Sequence, residues 1–199
     1  MKDFDPIFQL VPDYDSFCEI DLEVSDFIQH FPDEFSYQDA NCFDQLNLSL
    51  ASFWPAMKTD MFEPNPKAKR LMPDISVWRN SCLLLSPNAY RYLYEALKSY
   101  GELLPIWVGE QKWIILNCLT TASLLKGNVS SNEWAFNSSE VANKYIFKCL
   151  EPELAGLFCT KKLKVMVESY GLRGIRFENT VIDFISSTEK NCVVRQPQI

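Results

Sequence analysis

Acidic and aromatic side chains are interleaved from Asp13 to Phe35: Asp13-Tyr14-Asp15, Phe17, Glu19, Asp21, Glu23, Asp26-Phe27, Phe31 and Asp33-Glu34-Phe35. Three kinds of chemistry use such residues. Two carboxylates flanking a scissile bond act as acid and base in hydrolysis. Alternating aspartates such as Asp13, Asp15 and Asp21 suggest a calcium loop, but the glycine and distal glutamate of an EF-hand are missing. Clustered carboxylates set among apolar rings also form a negative landing surface for a basic protein. On this third reading Asp13, Tyr14, Asp15, Glu19, Asp21, Glu23, Asp26, Asp33 and Glu34 are partner-binding residues. The competing reading makes the acids a solvated face, balanced within the chain by Lys161, Lys162 and Lys164. A small hydrolase or transferase built on the same acids stays open beside it, as does a regulatory domain that binds some other protein.

Little else in the sequence offers catalysis. The single histidine, His30, stands in Ile28-Gln29-His30-Phe31-Pro32 beside no serine or cysteine arranged as a nucleophile. No H-E-x-x-H, Walker A, G-x-G-x-x-G or G-x-S-x-G run occurs, and six glycines leave few places for backbone to approach a phosphate. The expectation is a protein that is not an enzyme, with no catalytic residue, no metal and no cofactor.

Charge is unevenly placed. The net value is −7. Residues 1–66 hold 14 Asp and Glu against Lys2 and Lys58, a balance of −12, and the remainder holds 12 against 17 Lys and Arg, a balance of +5. An acidic molecule opposes phosphate binding, so nucleic acid is not expected as a partner despite Lys161, Lys162 and Lys164. The start, Met1-Lys2-Asp3-Phe4-Asp5, lacks the basic and apolar stretches of a secretory signal, and no run is long and apolar enough to span a bilayer. No membrane partner is expected, and the location expected is the cytoplasm.

The elements that must position the acidic segment divide in two. Residues 1–66 form an acidic, aromatic-rich segment packed on or appended to a domain of residues 67–199. Within the first part, Asp21–Phe31 reads as a helix burying Leu22, Phe27 and Phe31, and Asp44–Phe53 as an alternating strand. Pro64-Asn65-Pro66 and the basic run to Arg70 read as a connecting loop. In the second part Cys82–Leu85 is a buried strand, and Ser86-Pro87 caps a helix with Ala89, Leu93, Ala96, Leu97 and Tyr100 on one face and Gly101 at its end. Leu103–Val108 and Lys112–Cys118 form a hairpin through Gly109-Glu110, the order of a type II′ turn. Tyr145–Leu150 and Ala155–Cys159 are strands. Thr160 caps a helix lined by Leu163, Met166, Val167 and Tyr170 and ended by Gly171. Gly174–Glu178 and Val181–Ile185 return as strands. Hairpins among alternating helices and strands predict an α+β fold, a mixed and largely antiparallel sheet with a few packed helices. Leu93, Leu97, Trp113, Ile115, Phe147, Phe158, Met166 and Phe177 are the expected core.

Several of these segments carry a resemblance. They are Pro73-Asp74-Ile75, Leu83-Leu84-Leu85-Ser86, Leu104-Pro105-Ile106, Trp113–Asn117, Tyr145-Ile146-Phe147, Gly156-Leu157-Phe158 and Gly171–Phe177. In that order, from Leu71 to Glu178, the chain resembles a bacterial family of immunity proteins from polymorphic toxin systems, the myxobacterial-type immunity proteins first catalogued as a domain of unknown function. It departs from the family after the Leu116-Asn117 strand, where Ala122–Gly127 carries no acidic residue. The resemblance implies a protein that binds a cognate toxin effector and protects the producing bacterium. An acidic inhibitor suits a toxin whose active-site face is basic.

The seven cysteines include no C-x-x-C pair, and several sit in apolar runs, as in Asn117-Cys118-Leu119 and Phe158-Cys159. They read as reduced core thiols rather than a disulfide frame or a zinc site. Thiol titration of the unfolded chain without reductant is expected to give seven free thiols. A count below about five would overturn that reading.

Overall fold

Consecutive apolar residues, as in Cys82–Leu85, give a strand with both faces apolar, and such a strand is stable only when it is covered twice. In the computed structural model, which describes residues 6–63, 70–126, 133–151, 154–179, 181–184 and 191–195, that condition organises the chain. The strands are β1 (Ile7–Pro12), β2 (Glu19–Ile20), β3 (Lys58–Thr59), β4 (Met61–Phe62), β5 (Ile75–Trp78), β6 (Cys82–Leu85), β7 (Gly101–Val108) and β8 (Gln111–Cys118). They continue as β9 (Leu124–Lys126), β10 (Glu133–Asn137), β11 (Ile146–Cys149), β12 (Gly156–Thr160), β13 (Ile175–Asn179), β14 (Val181–Phe184) and β15 (Asn191–Arg195). The α-helices are α1 (Tyr37–Asn41), α2 (Pro87–Leu97), α3 (Ser138–Val141) and α4 (Lys161–Ser169).

The fold is α+β and dominated by strands. One five-stranded sheet runs β3-β7-β8-β6-β5, a second β11-β12-β1-β13, a third β14-β15-β10-β9, and β2 pairs with β4. Among the described residues every ladder between these strands is antiparallel except β3 with β7, and two isolated bridges, Phe17 with Leu71 and Thr121 with Lys148, are parallel. Side chains of the five-stranded sheet alternate between two cores, as period-2 geometry requires. Leu83 and Leu85, Ile114 and Leu116, and Ile75 and Val77 enter a central core with α2, α4 and the second sheet. Cys82 and Leu84, Trp113 and Ile115, Leu104 and Ile106, and Trp78 enter an opposite core. Its cover is the N-terminal segment, through Leu22, Val24, Phe27, Phe31, Phe43, Leu50 and Met57. The second sheet is covered on its other face by a third core containing Ile7, Phe136, Phe147 and Phe158.

Most expected elements form. Ser86 Oγ accepts from the Ala89 N–H (3.2 Å), Pro87 opens α2, and Ala89, Leu93 and Leu97 are buried. Gly101 opens β7 instead of ending the helix, which caps at Lys98. Gly109 has φ 56 in the β7–β8 turn, the left-handed conformation that the first turn position needs. Thr160 stands at the N-cap of α4, but its hydroxyl donates to the Lys144 carbonyl (2.7 Å) and tethers the start of β11 instead. Of the expected core, Met166 and Phe177 are only partly buried, and Tyr170 is exposed, stacked on Tyr92 with ring centroids 4.4 Å apart.

Two expected elements differ. Asp21–Phe31 is not one helix but two 3-10 turns, Val24–Asp26 and Ile28–His30. Phe27, with φ −132 and ψ −3, breaks the continuity, while Leu22, Phe27 and Phe31 are still buried. Asp44–Phe53 makes no strand. Its polar groups are met by side chains of the sheet: the Glu102 carboxylate accepts from the Ser49 hydroxyl (2.5 Å), the Leu50 N–H (2.7 Å) and the Ala51 N–H (3.2 Å), and Asn117 donates to the Leu48 carbonyl (2.9 Å). The backbone obtains its partners without a ladder. Apart from Arg70, the expected loop from Pro64 lies outside the described residues. So does Ile185 beyond β14. Cys18, Cys42, Cys82, Cys118 and Cys159 are free thiols, and the Cys192 side chain lies outside the described residues.

Leu97 is fully buried where α2 meets the sheet. Leu97→Ala is expected to cost about 2–5 kcal/mol in denaturant unfolding, and a cost below about 0.5 kcal/mol would refute this packing. Burial alone would raise the Glu102 pKa, but the donors from Ser49, Leu50, Asn117 and Ala51 outweigh it and hold the carboxyl below the ordinary glutamate range. Stability drawn from a depressed carboxylate is present above its unfolded pKa, roughly 4.3, and is lost as pH falls through the lower folded value. Glu102→Gln should therefore lower stability at neutral pH and flatten the acid limb of the stability curve. An acid limb identical to the parent's would remove Glu102 as its source.

Candidate partner-binding cleft

The interleaved acids and rings of the N-terminal segment meet the edge of the five-stranded sheet at a cleft of about 680 Å³. One wall is the run Glu19–Ser25, from β2 into the first 3-10 turn, and the other is Ser76, Val77, Trp78 and Arg79 at the end of β5. β2 is held on β4, and the Asp21 N–H donates to the Asp60 carbonyl (2.9 Å), so the wall is pinned by backbone bonds on its far side. Trp78 is buried and donates its indole N–H to the Leu22 carbonyl (3.2 Å), joining the walls at the floor.

Three rings stand at the rim with much of their surface in solvent: Tyr14 at 36 %, Tyr37 at 65 % and Phe62 at 51 %. The carboxylates are Glu19, Asp21 and Glu23, and the lining cation is Arg79. Arg79 already has partners. Its guanidinium donates to the Asn41 carbonyl, lies 5.2 Å over the Phe43 ring, and approaches the buried Asp44 carboxylate at 3.8 Å, an ion pair beyond hydrogen-bond distance. No ion pair engages Glu19, Asp21 or Glu23 among the described residues. The Tyr14 hydroxyl donates to Glu19, and burial, together with that carboxylate, raises the phenol above its ordinary range. The described lining therefore sets three carboxylates against one arginine, and the cleft carries a net negative field.

The nine residues singled out in the sequence have separate fates. Tyr14, Glu19, Asp21 and Glu23 line the cleft. Asp13 and Asp15 bracket Arg176 Nη1 at 3.5 and 3.1 Å, beside β13 rather than in the cleft. Asp26 accepts the Glu23 N–H (2.8 Å) and so shapes the wall from outside. Asp33 and Glu34 are exposed ahead of α1 and do not line the cleft. Sequence reasoning passed over Tyr37, Phe62, Ser76 and Arg79. Only the folded chain brings them beside the acids, although Tyr37 and Phe62 continue the acidic-aromatic pattern that marked the segment. Two of the three lysines offered as internal counterions are engaged elsewhere. Lys164 pairs with Glu168 (3.2 Å) and lies over the Phe8 and Phe177 rings, and Lys162 donates to the Ala142 carbonyl (3.2 Å).

A second polar cluster is enclosed. Lys148 on β11 is fully buried and donates to the Asp44 carbonyl (2.7 Å), with Cys82, Cys118 and Asn117 also without surface. Burial lowers the lysine pKa, against the pull of Cys82, Cys118 and Asp44, and pushes the Cys82 thiol up to about 12 and that of Cys118 to about 11. Groups with no accessible surface meet no substrate in this conformation, so the cluster acts as an internal tether. His30 is exposed in the second 3-10 turn. Among the described residues no group of three or more His, Cys, Asp or Glu is arranged to hold a metal ion, and no helix is long and apolar enough to cross a membrane.

No family model matches the chain, and none of the curated proteins matches it.

Proposed function

We propose that this is a binding protein, not an enzyme, that captures a basic partner protein. The observation that carries the reading is a cleft lined by three carboxylates and one arginine with exposed rings at its rim. Carboxylates without an ion-pair partner among the described residues extend a field into solvent and speed encounter with a basic surface. Exposed rings then bury area on contact and slow release. The partner that fits best is a cognate toxin effector with a basic active-site face, neutralised in the cytoplasm of the producing bacterium. That identity rests on the resemblance of residues Leu71–Glu178 to immunity proteins and on the charge complementarity.

The experiment uses the toxin encoded beside this chain, with stopped-flow association and survival of toxin-expressing cells as readouts. Raising salt tenfold should slow association much more than it speeds dissociation, because rim charges are screened within about 8–10 Å. The double variant Asp21→Lys and Glu23→Lys should slow association by roughly tenfold or more and reduce protection, with thermal stability little changed because neither carboxylate has an ion-pair partner to lose among the described residues. An association rate indifferent to salt and to both reversals would refute the electrostatic account. A variant that loses stability but keeps its association rate would instead make these acids internal counterions.

A further inference from the structure

The edge of β5 gives the cleft a direction. β5 is the last strand of its sheet, so among the described residues no strand pairs along its other side. The Ser86 N–H donates to the Asp74 carbonyl (2.8 Å), and β5 pairs with β6 in the register Ser76↔Leu84 and Trp78↔Cys82. In an antiparallel ladder hydrogen-bonded pairs alternate, so the Asp74 carbonyl and the main-chain groups of Ser76 and Trp78 turn inward to β6. Val77 turns its N–H and C=O outward. The beginning of that edge is closed: the Asp74 and Ile75 N–H groups donate to the Arg173 carbonyl (2.7 and 3.2 Å), and Gly174, at φ 123, lies so close to the Ile75 carbonyl that a β-carbon there would collide with it. The far end is closed by Arg79, whose φ of 52 turns the chain away. Val77 is thus a one-residue window in the sheet edge, it lines the cleft, and among the described residues it has no outward backbone partner.

The neighbouring side chain points the same way. Ser76 is 6 % exposed, lines the cleft, and its hydroxyl has no hydrogen-bond partner among the described residues. A hydroxyl at the cleft surface with no partner inside the described protein can donate to or accept from a group that enters the cleft. The same cleft is lined by Glu19, Asp21 and Glu23 and by the rings of Tyr14, Tyr37 and Phe62.

We infer that the cleft receives an extended basic segment of the partner, paired through its main chain to Val77 and holding an arginine or lysine side chain among Glu19, Asp21, Glu23 and the Ser76 hydroxyl. Main-chain pairing at an open edge supplies affinity without regard to sequence, and the pockets beside it supply selection. Arginine suits the site best, since its planar fork donates to carboxylate and hydroxyl together and stacks on the rim rings. The inference deepens the binding reading above and rests on it.

The probe is the peptide acetyl-Arg-Val-Arg-Val-Arg-amide, titrated into the full isotope-labelled chain at low salt and followed by NMR and calorimetry. Shifts at the Ser76, Val77 and Trp78 amides and slowed exchange of the Val77 amide are expected. The triple variant Glu19→Gln, Asp21→Gln and Glu23→Gln should weaken the peptide by tenfold or more, whereas Glu110→Gln with Glu151→Gln, acids outside the cleft, should change it less than twofold. Methylating the nitrogen of a valine flanking the central arginine should weaken it severalfold with charge unchanged. Equal binding to the two sets of glutamine variants, or peptide binding that leaves Val77 untouched, would overturn the cleft assignment. Salt-dependent capture of the toxin that persists alongside either result would leave the binding reading standing, so the two fail separately.

Discussion

The five-stranded sheet is apolar on both faces, and everything else in the fold follows from covering it twice. Leu83 and Leu85 demand one cover, Cys82 and Leu84 another. Helices α2 and α4 with the second sheet supply the first. The second is supplied by residues 22–57, which contain almost no regular structure and cover the sheet with side chains instead. Phe27 stands at the middle of this cover, within 6.2 Å, centroid to centroid, of Phe31, Phe43, Trp54 and Trp78. Aromatic side chains suit an irregular cover, because each removes a large area from water at a small cost in rotamer freedom. Their abundance in the segment and its lack of long elements have one cause.

An irregular segment over a sheet leaves polar backbone to satisfy, and the chain does so with two buried or half-buried charges. Glu102 gathers donors from Ser49, Leu50, Ala51 and Asn117, and Lys148 reaches the Asp44 carbonyl from the second sheet. Both cross from the regular part of the molecule to the irregular part. The cleft wall from Glu19 to Ser25 is the continuation of this tethered cover, so the acids that face solvent are placed by the same packing that closes the core.

Sequence periodicity was readable where local geometry and burial agree. The Cys82–Leu85 strand, the Ser86-Pro87 start of α2 and the Gly109-Glu110 turn each follow from a few neighbouring residues. It misled where distant groups intervene. The alternation in Asp44–Phe53 is that of a strand, but Glu102 and Asn117 take the polar groups a ladder would have used. The apolar spacing of Leu22, Phe27 and Phe31 is that of a helix and finds the buried residues, while Phe27 breaks the backbone. Half of the cleft was legible as a pattern of acids and rings. The other half, Ser76, Val77 and Arg79, belongs to a strand edge that exists only after the sheet has formed.

The place of β1 has a consequence for how the protein is made. It lies between β12 and β13, strands that follow it by roughly 150 residues. During synthesis Ile7, Phe8 and Leu10 leave the ribosome long before either neighbour exists, and the second sheet cannot close until Asn179 has emerged. Pairings this distant in sequence close slowly and leave apolar strand edges waiting. A nascent chain of this kind leaves its first strand unpaired for most of its synthesis, and a message cut short anywhere before β13 yields a product whose first strand lacks at least one of its two neighbours.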